Sequence, residues 1–190
     1  MSFIQRDPLT QEGQRVNNEG RALTSAVTVS AERHANQIEK EAYNALFAVN
    51  PAGADDCIFY LRNNSDDDLV IEGVWWQTSG AEEVYYKLGV TGTVILTAGA
   101  AITPANLNAG SGNIADVTCY SNVADAAVDL TGIAGGITVQ KLWLTSAKSE
   151  LFNCDQDIIV RKNQTFAIYC VDGDTLLRGT VVFNMHESNF

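Results

Sequence analysis

The chain has 190 residues and a mass of 20.5 kDa, enough for one domain, or for one domain carrying a terminal arm. Hydrophobic residues make up 46% and charged residues 18%, so a full core is available and global disorder is excluded. Twelve Lys and Arg against 23 Asp and Glu leave a formal charge of -11, which disfavours tracking of nucleic-acid phosphates and docking on anionic membranes. No apolar run reaches the ~18 residues of a transmembrane helix. Residues 1–11 hold no apolar core of the kind a secretory signal needs, so the expected setting is a cytoplasm.

Residues 1–41 read as an N-terminal arm, polar and poor in large apolar side chains. Val16, Leu23, Val27, Ala31, His34, Ile38 and Ala42 recur at intervals that suit one narrow helical face. The run 30–41 carries the strongest helix signal, with Ser30 as N-cap, while Gly20 and the β-branched Val27, Thr28 and Val29 argue against one continuous helix. A stripe this narrow cannot build its own core; it must lie on the main domain, a sister subunit or a partner.

From residue 42 the pattern changes to short β-like runs. They fall at 43–49, 57–62, 69–77, 83–90, 94–97, 115–121, 137–145, 150–153, 157–160, 165–171 and 176–186. Alternation puts Cys57, Phe59 and Leu61 on one face, and likewise Val84, Tyr86 and Leu88, Phe166, Ile168 and Cys170, and Val181, Phe183 and Met185. Turn signals at 63–68, 77–80 and 172–174 break the runs, and only a weak helix signal, over 123–135, intervenes. Evenly spaced strands without crossover helices predict a mostly β domain over 42–190, an antiparallel β-sandwich or jelly roll preceded by a partly helical N-terminal arm. Residues 97–113 form a long loop of small residues with a strand fragment at 101–103; its Ile102 and alanines suggest burial against something, either the same domain or a neighbour.

The chain is poor in catalytic tools. Cys57, Cys119, Cys154 and Cys170 are scattered, with no C-x-x-C pair to wrap a zinc ion, and read as buried thiols. His34 and His186 are the two histidines, too few for a metal site or a triad. Gly110 to Asn113 lacks the lysine of a phosphate loop, and Asp66–Asp68 lacks EF-hand spacing, so they read as loop glycine and solvated turn. The expectation is a non-enzymatic protein with no cofactor, metal or disulfide.

Trp75 and Trp76, followed by Tyr85 and Tyr86 on the next strand, carry more information. Neighbours on a strand point to opposite faces, so one Trp faces the core and the other outward. The outward one could stack on a sugar ring or fill a subunit interface, and cross-strand packing of the pair is the plainer alternative.

Several segments together suggest a family. They are the polar lead-in 14–19, the run 26–36 into the strand 43–49, the strand Asp55 to Asn63, and the late pair 158–168 and 179–187. This layout resembles small virion structural proteins of tailed bacteriophages, in particular capsid decoration (cement) proteins with a jelly-roll body and an N-terminal arm. The resemblance implies a protein without catalytic machinery, made in the host cytoplasm and carried on the virion capsid surface. Its partners would be the major capsid protein and itself, as a homotrimer, with no nucleic acid and no membrane. Val16, Leu23, Val27, His34, Ile38, Trp75, Trp76 and Ile102 are the candidate interface residues. The competing expectation is a receptor- or glycan-binding module of a phage tail or fibre.

Overall fold

In the computed structural model the structure describes residues 3–6, 13–16, 36, 39–51, 53–92, 99–122, 133–145, 149–173 and 175–186. The chain divides into two compact units, Met1–Ser30 and Ala31–Phe190. In the first, β1 (Phe3–Arg6) pairs antiparallel with β2 (Gly13–Val16), Phe3 opposite Val16. Val16 is thus a strand residue and does not start a helical stripe. Phe3, Ile4 and the β-branched Val16 favour an extended backbone, and the ladder satisfies their peptide groups. Leu23, Val27, His34 and Ile38 lie outside the described residues.

The second unit is antiparallel β throughout its described ladders. Its strands are β3 (Ala42–Val49), β4 (Cys57–Asn63), β5 (Asp68–Thr78), β6 (Glu82–Gly92), β7 (Gly99–Ala101), β8 (Ala105–Asn106), β9 (Val117–Asn122), β10 (Ile133–Leu144), β11 (Ser149–Val160), β12 (Thr165–Cys170) and β13 (Leu177–His186). The runs expected at 150–153 and 157–160 are one strand, β11, whose register on β5 shifts between Asn153 and Ile158. The weak helix signal over 123–135 gives way to strand from Ile133, and both 94–97 and 123–132 lie outside the described residues.

A six-stranded sheet runs β10-β6-β12-β4-β9-β7 and a five-stranded sheet runs β11-β5-β13-β3-β8. Strands β3, β4, β5 and β6 alternate between the two sheets, and so do β10, β11, β12 and β13. Their pairing is nested: β3 with β13, β4 with β12, β5 with β11 and β6 with β10. The pairs β13·β5 and β12·β6 then join these ribbons within each sheet. Alternating between layers requires a turn after every strand, which is why turn residues punctuate the sequence at short intervals.

One core fills the space between the sheets. From the five-stranded sheet come Tyr43, Phe47, Ile71, Val74, Trp76, Val181 and Phe183; from the six-stranded sheet come Phe59, Leu61, Val84, Tyr86, Phe166 and Ile168. Aromatic rings bridge the layers: Phe47 lies 5.2 Å from Phe59, and Trp76 donates its indole N–H to the Tyr86 hydroxyl over 2.8 Å. Three of the four predicted alternating faces bury together in this core, with Leu88 at its margin. The exception is Cys57. Ile58 has no opposite residue in the β4–β12 ladder, and this irregularity moves Cys57 into a second cluster, with Tyr60, Ala167 and Tyr169.

Removing the Tyr86 hydroxyl should leave the Trp76 N–H buried without an acceptor. Tyr86→Phe is therefore expected to lower stability by about 1–3 kcal/mol in denaturant unfolding. At Gly179 an added Cβ would overlap the Phe47 ring, so Gly179→Ala should cost about 1–3 kcal/mol as an overpacked core position.

Candidate functional site

On β5 the core-facing parity changes once. Leu69 and Ile71 point inward, and so do Val74, Trp76 and Thr78, because the β13–β5 register shifts at Glu72. Glu72 and Gly73 fall on the outer side of the sheet, and the parity after them sends Trp75 out. Trp76 is 2% exposed and Trp75 is 50% exposed. The expected in–out division of the tryptophan pair holds, but Trp76 meets Tyr86 across the two layers, not as a neighbour within one sheet.

Trp75 stands between two concavities on the outer face of the five-stranded sheet. One, of about 280 Å³, is walled by Trp75, Leu107, Leu151 and Val182, with Glu72 and Asn184 among its polar groups. The other, of about 510 Å³, lies toward Leu46, Gln77, Ser149, Arg178 and Thr180. Ladder partners run across this face from Leu151 to Trp75 to Thr180 to Leu46.

The smaller cleft contains buried polar chemistry. Asn184 is 1% exposed, and its side-chain N–H donates to Glu72 Oε1. Its own carbonyl oxygen is buried without a hydrogen-bond partner, and so is the Oδ1 of Asn36, which also lines the cleft. Asn36 is held there by the loop of small residues. Asn108 donates to the Asn36 carbonyl at 3.0 Å, Asn106 to the Lys40 carbonyl at 2.8 Å, and the Leu107 N–H to the Ala42 carbonyl at 2.8 Å. That loop therefore packs on its own domain, bringing Leu107 and Asn36 to one wall. Ile102 is partly buried against the core, and its N–H donates to the Cys119 carbonyl at 2.9 Å.

A second surface lies on the other sheet. Among the described residues β10 is an edge strand, paired with β6, and most of it is exposed. Ile137 is 75% and Trp143 61% exposed, on opposite faces of the strand, and Val139 between them is exposed as well. The register shift between Thr138 and Gln140 leaves Val139 as a bulge, which twists the edge and discourages open-ended strand addition. Sequence reasoning placed a strand at 137–145 but did not single out the exposure of its Ile137, Val139 and Trp143.

Elsewhere the polar groups serve the fold. Asn63 is fully buried and donates to the Asp67 and Val160 carbonyls at 2.7 and 2.8 Å, which organises the acidic turn. Glu82 is also buried, accepting backbone N–H groups from Val171, Asp172 and Gly173. Among the described residues no group of three or more His, Cys, Asp or Glu is placed to hold a metal ion. His186 pairs with Glu39 at 3.2 Å, and His34 lies outside the described residues. All four cysteines are buried and none is in a disulfide. Burial, then the nearby Glu82 and Asp56 carboxylates, push the Cys170 thiol up to about 12, and burial raises Cys119 as well.

No protein-family model, no curated protein and no solved structure matches the chain.

The thiols set a pH dependence. A thiol whose folded pKa is raised stabilises the fold fully below its unfolded value, and that contribution is lost as pH climbs toward the folded value. For Cys170 the window runs from the ordinary 9.0 up to about 12. The melting temperature should fall across that window, and Cys170→Ala should flatten the fall. Native alkylation at pH 8 should be slow, whereas in denaturant without reductant all four thiols should react.

Proposed function

We propose that the chain is a non-enzymatic virion structural protein of a tailed bacteriophage, a capsid decoration (cement) protein that stabilises the head by bridging major capsid protein subunits as a homotrimer. The nested pairing of the first four long strands of the second unit with the last four supports reading it as a β-sandwich of jelly-roll type, a long two-stranded ribbon rolled into two layers. A partly helical N-terminal arm would reach over neighbouring subunits.

The observation that carries the assembly reading is β10. An edge strand with Ile137, Val139 and Trp143 exposed, Ile137 on the face it shares with Leu88 and Trp143 on the face it shares with Glu83, offers apolar area whose burial would drive association, at about 25 cal/mol per Å². Its bulge favours side-chain contact over continuous strand addition, and closed symmetry would satisfy such a surface without polymerisation. The formal charge of -11 keeps the unassembled protein soluble and suits docking on a complementary shell surface. A second reading, a receptor- or glycan-binding module of a tail or fibre, is favoured by the half-exposed Trp75.

Light scattering should give about 62 kDa, three times the 20.5 kDa chain, in solution or after release from particles. Ile137→Asp should reduce it to the monomer mass while leaving the circular dichroism spectrum unchanged. Phage heads stripped of the protein should rupture at lower temperature and recover when it is added back. A monomer that neither binds stripped heads nor protects them would overturn the decoration reading; loss of host attachment with intact head stability would favour the second.

A further inference from the structure

We propose that the segment from Asn36 to Glu41 is a latch, closed on the outer face of the five-stranded sheet by side chains of the 106–113 loop, and that it opens while the sandwich stays folded. The latch stands apart from the decoration reading, and neither needs the other.

The fastenings come mostly from one loop. Asn108 donates to the Asn36 carbonyl at 3.0 Å, and Asn113 to the Glu39 carbonyl at 3.2 Å. Asn106 and Ser111 both donate to the Lys40 carbonyl, at 2.8 and 3.2 Å. From β13, His186 Nδ1 lies 3.2 Å from the Glu39 carboxylate. All of these are side-chain contacts, and the loop's bonds to Glu39 and Lys40 lie at the exposed surface, where water can replace them. The sheet itself begins one step later. The Glu41 carbonyl accepts from the Met185 N–H at 3.0 Å, and Ala42 opens β3. Releasing the fastenings therefore breaks no ladder among the described strands.

Closure is also opposed. Lys40 has φ 62°, in the left-handed region that a side chain disfavours. Asn184 is 1% exposed although β13 turns it away from the core, and Asn36 walls the same cleft. The side-chain oxygens of both are buried without a donor, so closing forfeits hydration that opening restores. The Asn184 amide N–H meanwhile stays bonded to the Glu72 carboxylate. A segment held by side-chain bonds, strained at Lys40 and lying on underpaired amides belongs to the low-stability end of a fold. Opening would add about 20 Å of extended chain to what leads out of the sandwich, at ~3.3–3.6 Å per residue.

Hydrogen exchange at the Asn184 side-chain amide, followed by nuclear magnetic resonance on the unmodified full chain, reads the opening, because that group is buried against Glu72. Its protection should be about a hundredfold or more below that of the backbone amides of β4 and β12, and low urea should leave it unchanged. Asn108→Asp with Asn113→Asp keeps the side-chain shape, and the oxygen that accepts from the Gly110 N–H, but removes the donors to the latch. The pair should speed exchange by about tenfold without changing protection in β4 and β12. Lys40→Gly, which relieves the left-handed backbone, should slow exchange several-fold. Exchange at Asn184 as slow as in β4 and β12, or rising with urea in step with them, would overturn the proposal by making the segment part of the core. So would a rate that the Asp pair leaves unchanged, or one no slower than in the urea-unfolded chain. Should the Asp pair lower protection in β4 and β12, Lys40→Gly decides alone, and no slowing there overturns the latch.

Discussion

Between the two sheets, the indole N–H of Trp76 meets the hydroxyl of Tyr86 at 2.8 Å, both side chains buried. A buried N–H needs an acceptor, so this bond constrains β5 strongly: Trp76 must point inward, and strand geometry then turns Trp75 outward. The bulge at Glu72 lets Ile71 and Val74 both reach the core despite their three-residue separation. Its by-product is a carboxylate and a glycine on the outer side of the sheet. There, an added Cβ on Gly73 would stand 2.7 Å from the Phe152 carbonyl, so the strands can approach closely only because that side chain is missing. The outer cleft is thus a consequence of how the core is satisfied.

The two sheets treat their outer faces differently. Strands β4 and β12 of the six-stranded sheet are buried on both sides, with Tyr60 and Tyr169 in a satellite cluster whose margin is roofed by Lys87, 4.0 Å from the Tyr169 ring centre. Toward β10 that sheet opens, with Trp143 and Ile137 exposed. The five-stranded sheet is instead flanked at one end by Asn36, Glu39 and Lys40, whose carbonyls accept side-chain hydrogen bonds from Asn108, Asn113 and Asn106. Separate surfaces of one small domain are therefore free to serve different contacts without competing for the same side chains.

Much of the strand pattern was legible because period-two alternation leaves a direct mark: Phe166, Ile168 and Cys170, or Val181, Phe183 and Met185, can share a face in few other ways. Pairing was not legible, since the ladder from Ala42 to Asn184 joins residues at opposite ends of the domain and no local signal encodes it. The bulges at Ile58 and Glu72 were hidden for a related reason: they are tertiary compromises, and the misplaced Cys57 shows the error that results. In the cleft, Trp75 could be singled out as one of a divided pair. Asn184 could not, because a polar residue at an outward strand position reads as solvated until the segment covering it is known. The small-residue loop suggested burial, but its own domain proved to be what it packs on.

Nested pairing has a consequence for how the molecule is made. β3 and β5 both lie against β13, so the central ladders of the five-stranded sheet close only when the last strand is available. At ~5–20 residues per second the ribosome needs on the order of ten seconds to extend the chain from Val49 to His186. Throughout that interval β3 and β5 lack the β13 strand that lies between them. Domains with local hairpins can bury their first strands as they emerge, but this one must keep them waiting. Among its described ladders no N-terminal half can be completed early, and the formal charge of -11 opposes association of the unfinished chain.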